Sequence, residues 1–192
     1  MAGPPAHAES SRYTGSSAYC YTNSLHMALV GAGGDPHEVP DVGFLECLTT
    51  QPFGNLFIRS DAGPVPLFSS GGMDPDAGLS HALQALGWTC QDTRGGDGDT
   101  ALARLRAAVR DTPALAGPID MGHLTHNPRY AGAAGADHFV VVLQVDRRAV
   151  SLLDRVARGA AAWPGTQVRA TAGSPWWRRQ PVQRAVRPPR PV

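Results

Sequence analysis

The most pronounced apolar run in the chain is Phe139-Val140-Val141-Val142-Leu143, entered through Asp137-His138 and left through Gln144-Val145. Its length and its share of β-branched residues predict a buried strand. Asp146-Arg147-Arg148 interrupts it as a short turn, and Ala149-Val150-Ser151-Leu152-Leu153 resumes it, ending on Asp154. Two strands joined by a tight turn lie antiparallel, so the entrance of the first and the exit of the second are neighbours. The pattern therefore places His138 and Asp154 at one end of one hairpin.

Upstream, the apolar positions fall at helical spacing more often. Leu25, Ala28 and Leu29 predict a short helix starting near Thr22 or Asn23, capped by one of them, and stopped by the glycines between 31 and 34. Cys20 then sits just before the first turn or inside it. Val42 to Leu48 reads as a further helix. Leu56-Phe57-Ile58 and Pro64 to Phe68 read as short strands around a turn. Asp74-Pro75 opens a helix with Leu79, Leu83 and Leu86 on one face, ending at Gly87. Trp88-Thr89-Cys90 is a short strand. A helix capped near Asp97 or Asp99 follows, with Leu102, Leu105 and Val109 in register, and Ala114 to Met121 is a strand. Helices early and strands late predict an α+β domain with helices packed on an antiparallel sheet.

Composition refines this picture. The 192 residues are 42% hydrophobic and 17% charged, enough for one domain with a real core. All 17 basic residues are arginine, and the net charge of +1 hides an asymmetry. Residues 1–154 carry 9 Arg against 16 acids, a balance of −7, whereas residues 155–192 carry 8 Arg and no acid, a balance of +8. That break suggests a flexible arm over 1–14, a folded domain over 15–155 and an Arg/Pro-rich, largely disordered tail over 156–192. Trp176-Trp177 in the tail carries no specific partner reading, and no nucleic-acid partner is expected. Three cysteines at 20, 47 and 90 make no disulfide framework. No secretory signal or membrane span is visible in the sequence, which predicts a cytoplasmic location where thiols stay reduced.

The chemistry concentrates in Cys20, His138 and Asp154. An imidazole takes the proton of a thiol and pairs with the thiolate, and a carboxylate on the other ring nitrogen holds the imidazole in the useful tautomer. The N-terminus of a helix favours an anion at Cys20. Cys47 and Cys90 lie among apolar neighbours and read as core residues. His26 reads as a surface or supporting group. His123 and His126 have metal-like spacing, but Gly122 and Pro128 put them in a loop and no third ligand follows, so no metal is expected.

Four segments carry a more specific signal: Tyr19-Cys20-Tyr21-Thr22-Asn23-Ser24-Leu25, Gly78-Leu79 to Gly87-Trp88, Gly117-Pro118-Ile119-Asp120-Met121-Gly122-His123-Leu124 and Asp137-His138-Phe139-Val140-Val141-Val142. In this order they resemble the N-terminal domain family of butirosin biosynthesis protein H, which is similar to C39 peptidases and other papain-like cysteine enzymes. The resemblance implies a papain-like fold, and acyl transfer from a carrier-protein pantetheine thioester to an amine in natural-product biosynthesis. Acyl carrier protein and a small amine are the implied partners, with no cofactor of the enzyme's own. It makes Cys20 the nucleophile, His138 the general base and acid, and Asp154 the orienting carboxylate. Where such enzymes place a glutamine before the cysteine, this chain offers Thr14, Ser16 and Ser17, so Ser17 or the Asn23 amide is the expected second oxyanion donor beside the Cys20 backbone N–H. Asp120 is expected to border the acceptor pocket. The alternatives are a C39-like peptidase, with water as acceptor, and an inactive, truncated module that only binds.

Overall fold

A computed structural model describes residues 19–50, 56–60, 63–67, 75–124, 126–130, 132–146, 149–154, 168–171 and 182–189. Thr14, Ser16, Ser17 and the expected N-terminal arm lie outside the described residues. In chain order the elements are α1 (Cys20–Gly31), α2 (Val42–Leu48), β1 (Leu56–Ser60), β2 (Gly63–Leu67), α3 (Pro75–Ala85), β3 (Thr89–Thr93), α4 (Gly98–Ala108), β4 (Ala114–Asp120), β5 (Asp137–Val145), β6 (Ala149–Leu153), β7 (Val168–Thr171) and β8 (Val182–Arg187). The fold is α+β. β1 and β2 form a separate antiparallel pair, and the other strands form one antiparallel sheet in the order β3-β8-β4-β5-β6-β7.

The continuous apolar character of β5 follows from its central place. Phe139, Val141 and Leu143 pack against α1 and α3, while Val140 and Val142 pack with Leu105 of α4 and with Leu124 and Tyr130. A strand covered on both faces has no need of polar alternation. The helix starts obey ordinary capping: the Asp41 carboxylate accepts from Phe44 N–H at 2.9 Å before α2, and the Asp97 carboxylate accepts from Thr100 N–H at 2.7 Å before α4. Helix α1 differs from expectation. It begins at Cys20 with no side-chain cap, and Thr22 and Asn23 lie inside its first turn.

Two further expectations need correction. Residues 168–171 and 182–187 of the expected disordered tail are strands, and β8 lies between β3 and β4 with Ala185 and Val186 buried. The arginines around these two small apolar residues conceal the strand pattern, and the charge break at Asp154 is not the end of the sheet. Cys47 and Cys90 are exposed rather than buried. Cys47 lies on α2 away from its buried Val42 and Leu45, and Cys90 lies on the exposed strand β3, where its thiol meets the Asp92 carboxylate at 2.9 Å.

Candidate active site

The hairpin sets the geometry. Val141 pairs with Leu153, so Asp154, just past the end of β6, lies beside the first residues of β5. His138 Nε2 is 2.9 Å from Asp154 Oδ1, both residues being buried. A carboxylate only accepts, so His138 Nε2 carries a hydrogen and donates it. Nδ1 is then the nitrogen left for the other partner of this ring, the thiol of Cys20, which hydrogen-bonds to His138. The expected trio therefore meets in space.

Cys20 is the first residue of α1, where the first-turn N–H groups lie outside the helix's own ladder and the dipole favours negative charge. Its position is fixed from both sides. Thr22 Oγ1 and Asn23 Nδ2 donate to the Tyr19 carbonyl at 3.2 and 2.7 Å, holding the residue before Cys20. Asn23 Nδ2 thus gives one of its hydrogens to Tyr19, and the residue is fully buried, which fits a supporting role. One turn beyond Cys20, Ser24 Oγ donates to the Phe139 carbonyl at 3.1 Å, across 115 residues of sequence. Phe139 faces the irregularity that Gly117 and Pro118 make in β4 and has no register partner on β4 or β6. Its carbonyl is thereby available to the helix, and the helix that carries Cys20 is tied to the residue next to His138.

Asp120 sits at the base of a loop. Its Oδ1 accepts from Gly122 N–H at 2.9 Å and from Gly135 N–H at 3.1 Å, and Met121 N–H donates to the Ala136 carbonyl at 2.8 Å. These bonds close the connection from Met121 to Ala136 at its base, in the manner of an Ω-loop. The loop is packed by its own buried Leu124 and Tyr130.

That loop delivers two residues that sequence reasoning left out. His126 Nε2 donates to Asp154 Oδ2 at 2.9 Å, and Tyr130 Oη donates to the same oxygen at 2.8 Å. Tyr130 Oη also lies 3.2 Å from His138 Nε2, so that N–H is shared between Asp154 Oδ1 and the phenol oxygen. Asp154 thus accepts on both oxygens, from two imidazoles and a phenol. The His123-x-x-His126 spacing reads from sequence as a loop feature that holds no metal, and it gives no sign of a carboxylate partner. Among the described residues no cluster of His, Cys, Asp and Glu is arranged to hold a metal ion. His26 is a supporting group on α1, its Nδ1 2.9 Å from the Pro40 carbonyl.

The electrostatics favour a charged imidazole. Burial alone pushes the His138 pKa down, but the hydrogen bond to Asp154, then that to Cys20, and the charges of both outweigh it and push the group up to about 9 from 6.5. Each partner thus holds the ring in its cationic form.

No family model matches the chain. It is similar to the uncharacterized protein YobF of Bacillus subtilis (strain 168), with 32% identity over 143 residues, which is 74% of this chain and 44% of that protein. The chain therefore spans less than half the length of the curated relative it matches. No helix among the described residues is long and apolar enough to cross a membrane.

Proposed function

We propose that this chain is a cysteine-dependent acyltransferase of papain-like architecture, moving an acyl group from a carrier-protein thioester to an amine. The observation that carries the reading is the chain of contacts from half-buried Cys20 through buried His138 to buried Asp154, with the thiol at a helix N-terminus. An imidazolium facing the sulfur stabilises the thiolate, which is the nucleophilic form. The thiolate attacks the thioester carbonyl, forming a carbon–sulfur bond, and the developing oxyanion is held by backbone N–H groups at the start of α1. Collapse breaks the bond to the pantetheine sulfur, which leaves with the proton from His138. The amine then attacks the acyl-enzyme, His138 takes its proton, and Cys20 is released as thiolate beside an imidazolium. Asp154 stays ionised throughout and holds the ring.

The test is incubation with an acyl-pantetheine thioester, followed by intact-mass measurement and peptide mapping. The expected result is one acyl group on Cys20 that an added amine discharges as amide. Discharge by water alone would favour a peptidase-like hydrolase. No adduct at any pH would leave a module that binds without reacting.

A further inference from the structure

The Met121–Ala136 loop brings a second histidine onto the carboxylate that orients the first, and nothing in the Cys20–His138–Asp154 chemistry demands it. We propose that His126 is a positioning residue of the site: by holding Asp154 Oδ2 it fixes the carboxylate so that Oδ1 points at His138 and keeps the imidazolium opposite Cys20. The inference rests on the cysteine-nucleophile reading above.

Asp154 follows the last residue of β6, and its side chain is buried. A carboxylate in that setting has a rotatable χ2 and two equivalent oxygens. One hydrogen bond to His138 does not choose between orientations; donors on both oxygens do. His126 Nε2 and Tyr130 Oη, at 2.9 and 2.8 Å, supply them on Oδ2. The His126 side chain is only 3% exposed, so burying a polar ring here carries a desolvation cost that an apolar loop residue would avoid. Its Nδ1 is buried with no hydrogen-bond partner among the described residues. The ring is therefore retained for its Nε2 side, the side that meets Asp154. Among the described residues, His138 from β5 and His126 and Tyr130 from the loop are titratable groups that face Asp154, and Cys20 faces His138 from α1.

The test uses the full chain and the anionic alkylating reagent iodoacetate, with modification of each cysteine followed by mass spectrometry. An imidazolium beside the thiolate attracts the anionic reagent, so the rate at Cys20 falls on the alkaline side as His138 loses its proton. Exposed Cys47, and exposed Cys90 with its bond to the Asp92 carboxylate, serve as internal reference thiols away from His138. Gln at position 126 places an amide N–H where Nε2 lies; Asn reaches only the position of Nδ1. The expected result is a wild-type alkaline midpoint near 9, kept in His126→Gln and lowered by about one pH unit or more in His126→Asn, with Tyr130→Phe also lowered. Circular dichroism on each variant establishes that it is folded, and if His126→Asn does not fold, Tyr130→Phe and His126→Gln carry the comparison. A midpoint unchanged or raised in folded His126→Asn, or unchanged in Tyr130→Phe if the Asn variant is unfolded, overturns the proposal while leaving the nucleophile intact. Wild-type Cys20 reacting at pH 6 no faster than Cys47 and Cys90 overturns the cysteine-nucleophile reading itself.

Discussion

Removing the Ser24 hydroxyl removes a buried hydrogen bond that ties the cysteine helix to the backbone of the histidine strand. In Ser24→Ala the Phe139 carbonyl loses its donor at 3.1 Å, and the site is buried, so water does not replace it. A net hydrogen bond contributes about 1 kcal/mol, and a buried carbonyl left unpaired costs about 1–3 kcal/mol, so a loss of about 2 kcal/mol is expected. For a chain of this size that is a fall of about 4–8 °C in Tm. The chemical effect should exceed the thermal one. Ser24 lies one helical turn from Cys20, and Phe139 is adjacent to His138, so slack here separates sulfur from imidazole. The reaction of Cys20 with iodoacetate at pH 6 should slow toward that of an ordinary exposed thiol. Guanidinium unfolding measures the stability, and Ser80→Ala is the control, since exposed Ser80 only returns a bond to the Asp76 carbonyl within its own helix. A loss below about 0.5 kcal/mol in Ser24→Ala, the range of ordinary surface changes, would refute the reasoning.

Three further outcomes are expected. Cys20→Ala should leave the unfolding midpoint within about 1 kcal/mol of wild type and abolish acyl-adduct formation; an adduct that persists would place the nucleophile elsewhere. His138, held near 9 when folded against 6.5 unfolded, keeps a proton in the native state that the unfolded chain has lost, so its stabilisation is full below about pH 6.5 and is lost as pH rises to about 9. The shift corresponds to about 3 kcal/mol with Cys20 present; in Cys20→Ser, which removes the thiol's share of the shift together with its own titration, the fall is smaller, and denaturation midpoints that do not fall at all above about pH 6.5 would contradict it. Gly117→Ala would bring a Cβ to 2.2 Å from the Phe139 ring, so the ring beside His138 must move; a loss of about 1–3 kcal/mol is expected by thermal unfolding, and an unshifted Tm would show that the contact yields freely.

Much of this site was legible because two apolar runs joined by a short turn pair as a hairpin. That pairing puts His138 and Asp154 at one end, and the helical spacing of Leu25, Ala28 and Leu29 puts Cys20 near a helix start, although the cap expected at Thr22 or Asn23 is absent. What escaped was set by loops and by burial. His126 and Tyr130 come from a connection without periodicity, and only its closure at Asp120 turns them toward Asp154. Cys47 and Cys90 have apolar neighbours in sequence, but a helix face and an edge strand turn both outward, which local composition does not encode. β8 was hidden because arginines flank its buried Ala185 and Val186; its partners β3 and β4 lie far away along the chain, and pairing of that range leaves no local trace.

The place of β8 bears on how the molecule comes together during synthesis. Every group in the catalytic proposal is already translated once Asp154 emerges, yet β4 has an open flank and β3 has no ladder until Val182–Arg187 arrives to fill the gap. A nascent chain halted between those points would own all of its chemistry and still offer a bare row of amides to its neighbours.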